Sequence, residues 1–142
     1  MQIKDHTLSG NGIQSKQSPN RGKEFANGLA DTIIIHYTAG SSAASSVRTL
    51  CDPNSKASAH LVVGRDGSIT QLVPFNIVAW HAGASQYGDR VGYNQYALGI
   101  EIDNAGILEK RGGKFYSWFN REYQADDVVE AVHRNQSLPR YW

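Results

Sequence analysis

The sequence has 142 residues, of which 40% are hydrophobic and 19% charged, and its formal net charge is +1. That length fits one domain spanning residues 1–142, with enough apolar content for a folded core. The near-neutral charge argues against nucleic acid as the main partner. No apolar run approaches the roughly 20 residues of a membrane span. The first residues contain no apolar segment typical of a secretory signal, so the protein is expected to be cytoplasmic as synthesised.

The first elements along the chain are an irregular segment, a strand and a helix. Residues 1–31 show no clear hydrophobic period, which predicts an irregular lead-in. The β-branched run 32–37 predicts a strand buried on both faces. Ser41 or Ser42 can cap a helix that runs to about Leu50.

The middle of the chain indicates a hairpin and a further strand. Two short strands, at 59–64 and 68–73, flank the turn 65–67, whose Asp-Gly pair tolerates positive φ. Residues 98–103 alternate strictly, so Leu98, Ile100 and Ile102 share one face of a strand and Glu101 and Asp103 share the other.

The last third predicts a turn and a helix. Gly112-Gly113 marks the turn. Apolar side chains recur at helical spacing from Ala125 to Val132, and His133 follows in what would be the last turn of an amphipathic helix. Strands interleaved with helices predict an α/β fold with a mixed β-sheet flanked by helices.

His36 and Glu101 are the main candidates for chemistry. His36 stands at the C-terminal end of an apolar strand, where ligand sites of α/β sheets lie, and imidazole is a common metal ligand; a structural hydrogen bond would also explain it. Glu101 interrupts an apolar strand, and a buried carboxylate with a raised pKa can serve as a general base. The alternation by itself favours the other interpretation, that Glu101 and Asp103 face water.

The remaining candidates have simpler explanations. His81, beside Trp80, lines a cleft or supports an interior tryptophan, with neither favoured. His60 precedes an apolar strand, which favours a structural hydrogen bond, and a helix dipole explains His133. The single Cys51 excludes an internal disulfide and a multi-cysteine zinc site. The usual phosphate-loop, dinucleotide, serine-hydrolase and zinc-protease motifs do not occur in the sequence.

Five segments, in order, resemble the zinc-dependent N-acetylmuramoyl-L-alanine amidases of the type-2 amidase and peptidoglycan-recognition-protein fold. They are IHYTAG at 35–40, SAHLVVGRDG at 58–67, QLVP at 71–74, AWHAG at 79–83 and LGIEIDNAG at 98–106. The resemblance implies hydrolysis of the amide between N-acetylmuramic acid and L-alanine, with peptidoglycan or a muropeptide as substrate and Zn²⁺ as cofactor. A zinc ion would polarise the carbonyl and activate water.

The resemblance also implies roles for individual residues. His36 corresponds to the first zinc ligand, and Glu101 to the carboxylate that acts on the metal-bound water. The expected substrate-binding residues are Tyr37, Thr38, Trp80, His81 and Asn104.

The resemblance does not extend to the family's C-terminal segment, which carries a second histidine and an aspartate or cysteine as zinc ligands. No such segment precedes Trp142, so we expect a domain truncated at its C-terminus, with two ligands not found in this chain. The alternative is an inactive muropeptide-binding module of the same fold. A cytoplasmic recycling enzyme and a phage lysin released to the periplasm both agree with the sequence.

Overall fold

A computed structural model describes residues 1–26, 28–132 and 137–142 of the chain. One α-helix occurs in these ranges, α1 (Ala43–Leu50). The strands before α1 are β1 (Gln2–Lys4), β2 (Thr7–Ser9), β3 (Ile13–Ser15), β4 (Arg21–Glu24) and β5 (Thr32–Tyr37). The next six are β6 (Leu61–Val63), β7 (Ile69–Gln71), β8 (Ile77–Ala79), β9 (Gln86–Tyr87), β10 (Arg90–Val91) and β11 (Ala97–Ile102). The last five are β12 (Glu109–Arg111), β13 (Lys114–Tyr116), β14 (Glu122–Tyr123), β15 (Glu130–Ala131) and β16 (Arg140–Tyr141).

A five-stranded sheet with the order β3-β7-β6-β11-β5 forms the centre of the fold. β11 pairs in parallel with both β5 and β6, whereas β6 and β7 form the predicted antiparallel hairpin. Gly67, in the hairpin turn, adopts φ +79°, a conformation that glycine permits. The mixed sheet with its helix confirms the α/β fold that the sequence predicts.

Helix α1 begins as predicted, because the Ser42 side chain caps the backbone N–H of Ser45. Its Val47 packs into a buried cluster with Val62 of β6, and with Leu72, Val73 and Ala79. Because directly paired residues of neighbouring strands share a sheet face, the face of Val62 also carries Glu101 and His36. The helix-covered face is therefore the face with the candidate catalytic residues.

The opposite face of β5 contradicts the predicted burial of this strand on both sides. Ile33 and Ile35 remain 61% and 58% exposed, and Tyr37 is 44% exposed. β5 is an edge strand of the sheet, and its backbone pairs only with β11 in the described ranges. A continuous apolar run therefore predicted the strand correctly but not the covering of both faces.

The expected irregular lead-in at 1–31 is also wrong, because it contains β1 to β4. β3 pairs in parallel with β7, and β4 pairs antiparallel with β8. Every residue of β4 is exposed, so this strand is held by backbone hydrogen bonds rather than by an apolar face. Such a strand leaves no period in the sequence that pattern analysis could detect.

The predicted helix near the C-terminus does not form in the described residues. A short 3₁₀ turn (Ala125–Asp127) leads to β15, which pairs with β16. Val129 and Trp142 exchange both backbone hydrogen bonds at 2.9 Å. The β-branched valines accept this extended backbone readily. His133 and Arg134, expected in the last turn of that helix, lie outside the described residues.

The turn at Gly112-Gly113 is confirmed as the tip of the β12–β13 hairpin. Together with β14, this hairpin forms a three-stranded sheet, whose buried Phe115 packs with Ala105 and Leu108. Trp118 lies between β13 and β14 in the chain, and its side chain lines the candidate site. No helix in the described ranges is long and apolar enough to cross a membrane.

Candidate active site

His36 and Glu101 are neighbours on the helix-covered sheet face. They are paired residues of the parallel strands β5 and β11, near the C-terminal ends of both. This is the sheet edge at which α/β proteins bind ligands. The parallel pairing therefore brings together the two side chains that the sequence singled out.

Glu101 is a half-buried carboxylate, one of whose oxygens has no hydrogen-bond partner. Its Oε2 atom is inaccessible to solvent and has no hydrogen-bond partner among the described residues. Burial raises the pKa of the Glu101 carboxyl above its ordinary value. The water-facing position that the alternation favoured is wrong for Glu101, because the polar face of β11 is the one that α1 covers.

Glu101 opens into a groove of about 250 Å³. The groove is lined by the loop after β5, including Thr38, by one side of α1, and by Trp118. Trp118 is 71% exposed, and its indole N–H donates to the backbone carbonyl of Ala39 at 2.9 Å. Sequence analysis missed Trp118, because an isolated tryptophan after a hairpin carries no period or motif.

His36 is in contact with His81 rather than with a carboxylate. The Nε2 atom of His36 lies 3.1 Å from Nδ1 of His81, and the rings meet edge to face. The Nε2 atom of His81 lies 3.0 Å from the backbone carbonyl oxygen of Ala97. Burial lowers the pKa of both imidazoles, so both rings are neutral around pH 7.

His60 is completely buried, and its ring meets that of His81 edge to face with centroids 5.9 Å apart. Its Nδ1 accepts the backbone N–H of Gly99 at 3.0 Å, and its Nε2 bonds to the carbonyl oxygen of Ile77 at 2.9 Å. Burial lowers the pKa of His60 to about 4. These contacts agree with the structural role that the sequence favours for His60.

The other expected substrate residues lie in different surroundings. Thr38 lines the groove with Glu101 and is hydrogen-bonded to the backbone of Asn104. Asn104 lines a separate polar pocket with Arg65 and Asp103. Tyr37 points away from His36, to the opposite sheet face, and meets Trp142 edge to face. Trp80 is half-buried, with its backbone N–H bonded to Ser58. Substrate contact stays a prediction for all of them.

A zinc ion with three protein ligands does not fit the residues that the structure describes. Outside residues 27 and 133–136, no three histidine, cysteine or acidic side chains are grouped so that they could hold a metal ion. His36 has one ring nitrogen left after its contact with His81, and Glu101 is its acidic neighbour. This set is short of the three ligands that catalytic zinc uses.

Similarity to known proteins was found at the level of sequence and of fold. The N-acetylmuramoyl-L-alanine amidase family model matches residues 26–137. The 1,6-anhydro-N-acetylmuramyl-L-alanine amidase AmpD of Escherichia coli K12 is 47% identical over 53 residues, which cover 37% of this chain and 29% of AmpD. The N-acetylmuramoyl-L-alanine amidase AmiD of the same strain is 35% identical over 94 residues, which cover 61% of this chain and 33% of AmiD. These matches span no more than about a third of either relative.

Solved structures agree with this assignment. A selenomethionine derivative of AmpD aligns with a TM-score of 0.61 and 26% identity, over 73% of this chain and 66% of that one. E. coli AmiD in complex with the substrate anhydro-N-acetylmuramic acid-L-Ala-D-γ-Glu-L-Lys aligns with a TM-score of 0.51 and 36% identity, over 62% and 35% of the two chains. Because the family match extends over most of the sequence, the chain belongs to the N-acetylmuramoyl-L-alanine amidase family.

Proposed function

We propose that the protein hydrolyses the amide bond between N-acetylmuramic acid and L-alanine in muropeptides or peptidoglycan. The observation that carries the proposal is the half-buried Glu101 carboxylate, whose Oε2 atom is buried without a partner, beside His36 at the C-terminal edge of the sheet. The family assignment and the muropeptide bound by AmiD support the choice of substrate.

Glu101 is proposed as the catalytic base. In hydrolysis a water oxygen bonds to the lactyl carbonyl carbon, the carbon–nitrogen bond breaks, and the alanine nitrogen leaves as an amine. The Glu101 carboxylate accepts the proton from the attacking water and returns it to the leaving nitrogen. A raised pKa strengthens the carboxylate as a base near neutral pH.

The groove beside Glu101 is proposed to hold the substrate. Its polar wall consists of Thr38 and serine hydroxyls of α1, and Trp118 supplies an apolar wall. This combination suits a sugar–peptide conjugate, because sugars bind through both hydroxyl hydrogen bonds and contact with aromatic rings. Trp80, His81 and Asn104 are proposed to contribute around this groove, through direct contact or by supporting it, whereas the Tyr37 ring lies on the opposite sheet face against Trp142.

The proposal includes only one zinc ligand, His36. Its free ring nitrogen can serve as a ligand, and a zinc ion would polarise the scissile carbonyl. The described residues supply no complete donor set for the metal. The cell compartment is proposed to be the cytoplasm, with release of a lysin as the alternative.

The test is to incubate the chain, with and without added zinc, with anhydro-N-acetylmuramyl tripeptide and to analyse the products by mass spectrometry. We expect anhydro-N-acetylmuramic acid and the free peptide. Glu101→Gln should lower the rate by at least about a hundredfold, whereas Glu130→Gln, an exposed glutamate of β15, should leave it unchanged. Muropeptide binding without cleavage in every condition would instead support a binding module.

A further inference from the structure

The hydrogen bonds around His81 determine its tautomer. A backbone carbonyl can only accept, so the His81 Nε2 that lies 3.0 Å from the Ala97 oxygen must carry a hydrogen and donate it. A neutral imidazole has one N–H, so Nδ1 of His81 carries a lone pair. At a pH well above the ordinary histidine pKa the imidazole is neutral. His81 is therefore a hydrogen-bond acceptor at Nδ1.

The tautomer of His36 follows from that of His81. Its Nε2 lies 3.1 Å from the Nδ1 lone pair, so Nε2 of His36 must donate. Nδ1 is then the only atom of His36 with a lone pair. We propose that His81 is a positioning residue that holds His36 in the Nε2–H tautomer and so leaves Nδ1 as the single lone-pair atom that His36 can offer to a ligand or to the substrate.

β11 leaves space for the His81 ring at Gly99. A Cβ atom on Gly99 would lie only 2.3 Å from Cγ of His81, so the ring occupies the space that the side chain of any other residue type at position 99 would need. The backbone N–H of Gly99 donates a hydrogen bond to Nδ1 of His60. Above, the Asn94 side chain accepts the backbone N–H groups of His81 and Ala82 at 2.9 and 2.7 Å. The ring is thus held by hydrogen bonds at its two nitrogens, by the hydrogen bonds of the backbone at His81, and by its contact with Gly99.

This arrangement differs from a substrate-lining role for His81. Both ring nitrogens are engaged by protein atoms, which leaves neither free for a substrate hydrogen bond. The inference rests on the proposed function for the importance of His36, but the tautomer itself is a property of the folded chain. It can therefore be tested without measuring activity.

The test is nuclear magnetic resonance on the full chain with ¹⁵N-labelled histidine, at a pH well above the ordinary histidine pKa. We expect His36 to carry its proton on Nε2, and a scalar coupling across the hydrogen bond between that atom and Nδ1 of His81. In His81→Phe, which keeps a ring over Gly99 but has no acceptor, the coupling should vanish and the Nε2 proton should exchange rapidly with water. His6→Asn, on an exposed turn, should leave the His36 signals unchanged.

A His36 proton on Nδ1, or an absent coupling in the unmodified chain, would overturn the proposal even if His81→Phe failed to fold. Kinetics add a second readout, because a positioning residue should affect kcat by about tenfold or more and leave KM nearly constant. A rise in KM alone would indicate substrate contact and contradict the proposal. If the coupling is present but no muropeptide is cleaved, the proposed function fails while the role of His81 stands.

Discussion

The Glu101 side chain combines its position in the candidate site with a cost in stability. Because burial raises its pKa in the folded state, its ionised form is less favourable there than in the unfolded chain. The stability that its protonated form provides is full below the ordinary pKa of 4.5 and is lost as the pH rises through the folded pKa. Buried, unpaired carboxylates are retained where function requires them.

We expect Glu101→Gln to raise Tm at pH 7 by a few degrees, since the substitution removes the buried charge. The gain should shrink as the pH falls to about 4.5 and below, where Glu101 itself is neutral. Thermal unfolding followed by circular dichroism across this pH range measures both effects. Glu130→Gln should change Tm little at any of these pH values. A lower Tm for Glu101→Gln at pH 7 would contradict the account of its burial.

The contact between Gly99 and His81 predicts a strong coupling between these two positions. Gly99→Ala should lower the free energy of unfolding by about 1–3 kcal/mol, because its methyl group overlaps the His81 ring. In the His81→Ala background the same change should cost much less, because the space is then empty. A double-mutant cycle of denaturant unfolding measures the difference. Equal costs in both backgrounds would show that the ring does not rest on Gly99.

At the scale of elements, the β12–β13 hairpin and β14 hold one wall of the groove. Trp118 follows β13 directly, and its hydrogen bond to Ala39 ties this part of the chain to the loop after β5. The hairpin turn was predictable from Gly112-Gly113, because such pairs adopt positive φ. Its placement over the groove was not, because it depends on tertiary contacts, among them the packing of Phe115 with Ala105 and Leu108 and the bond from Trp118 to Ala39.

We expect Trp118→Ala to weaken binding of a muropeptide about tenfold, equivalent to about 1.4 kcal/mol. Titration calorimetry with Glu101→Gln as the background avoids turnover during the measurement. Tyr87→Ala is the matched control, because Tyr87 is equally exposed at 71% but lies on the separate β9–β10 hairpin. Equal losses of muropeptide affinity in the two variants would show that Trp118 is not a specific wall of the site.

The alternation in β11 illustrates how far sequence analysis reaches for single elements. It predicted correctly that Leu98, Ile100 and Ile102 lie opposite Glu101. It also favoured water for the face of Glu101, which is wrong, because α1 covers that face and Ile102 on the apolar face is 44% exposed. Periodicity reports which side chains share a face, whereas the packing of other elements decides which face is buried. The helix predicted before residue 133 was wrong for a related reason. The spacing of its valines suits a helix, but their β-branched side chains suit the strand that forms.

At the scale of the whole molecule, the protein presents an unusual division of surfaces. One sheet face is covered by α1 and carries the candidate site, and the other exposes Ile33 and Ile35 on β5. The family resemblance predicted the fold and the meeting of His36 with Glu101. The contact between His36 and His81 was beyond sequence analysis, because it depends on a ring from the loop after β8 lying over Gly99 of β11.

The metal content of the chain is the most informative whole-molecule measurement. Because the described residues contain no group of three potential ligands, we expect less than one zinc per chain after supply of the metal and dialysis. Elemental analysis against protein concentration gives this ratio, and His36→Ala should lower any retained amount further. One tightly held zinc per chain would show that a donor outside the described residues, such as His133, or one from a second chain completes the site.

The position of β11 between β5 and β6 also has a consequence for biosynthesis. β5 and β6 leave the ribosome well before β11, yet neither pairs with the other, and β11 joins them. Contacts between distant parts of a chain form slowly, since a long loop must close first. A nascent chain that has not yet reached Ile102 therefore carries His36 on a strand without its sheet partner. The pairing of His36 with Glu101 forms only when β11 is inserted between β5 and β6.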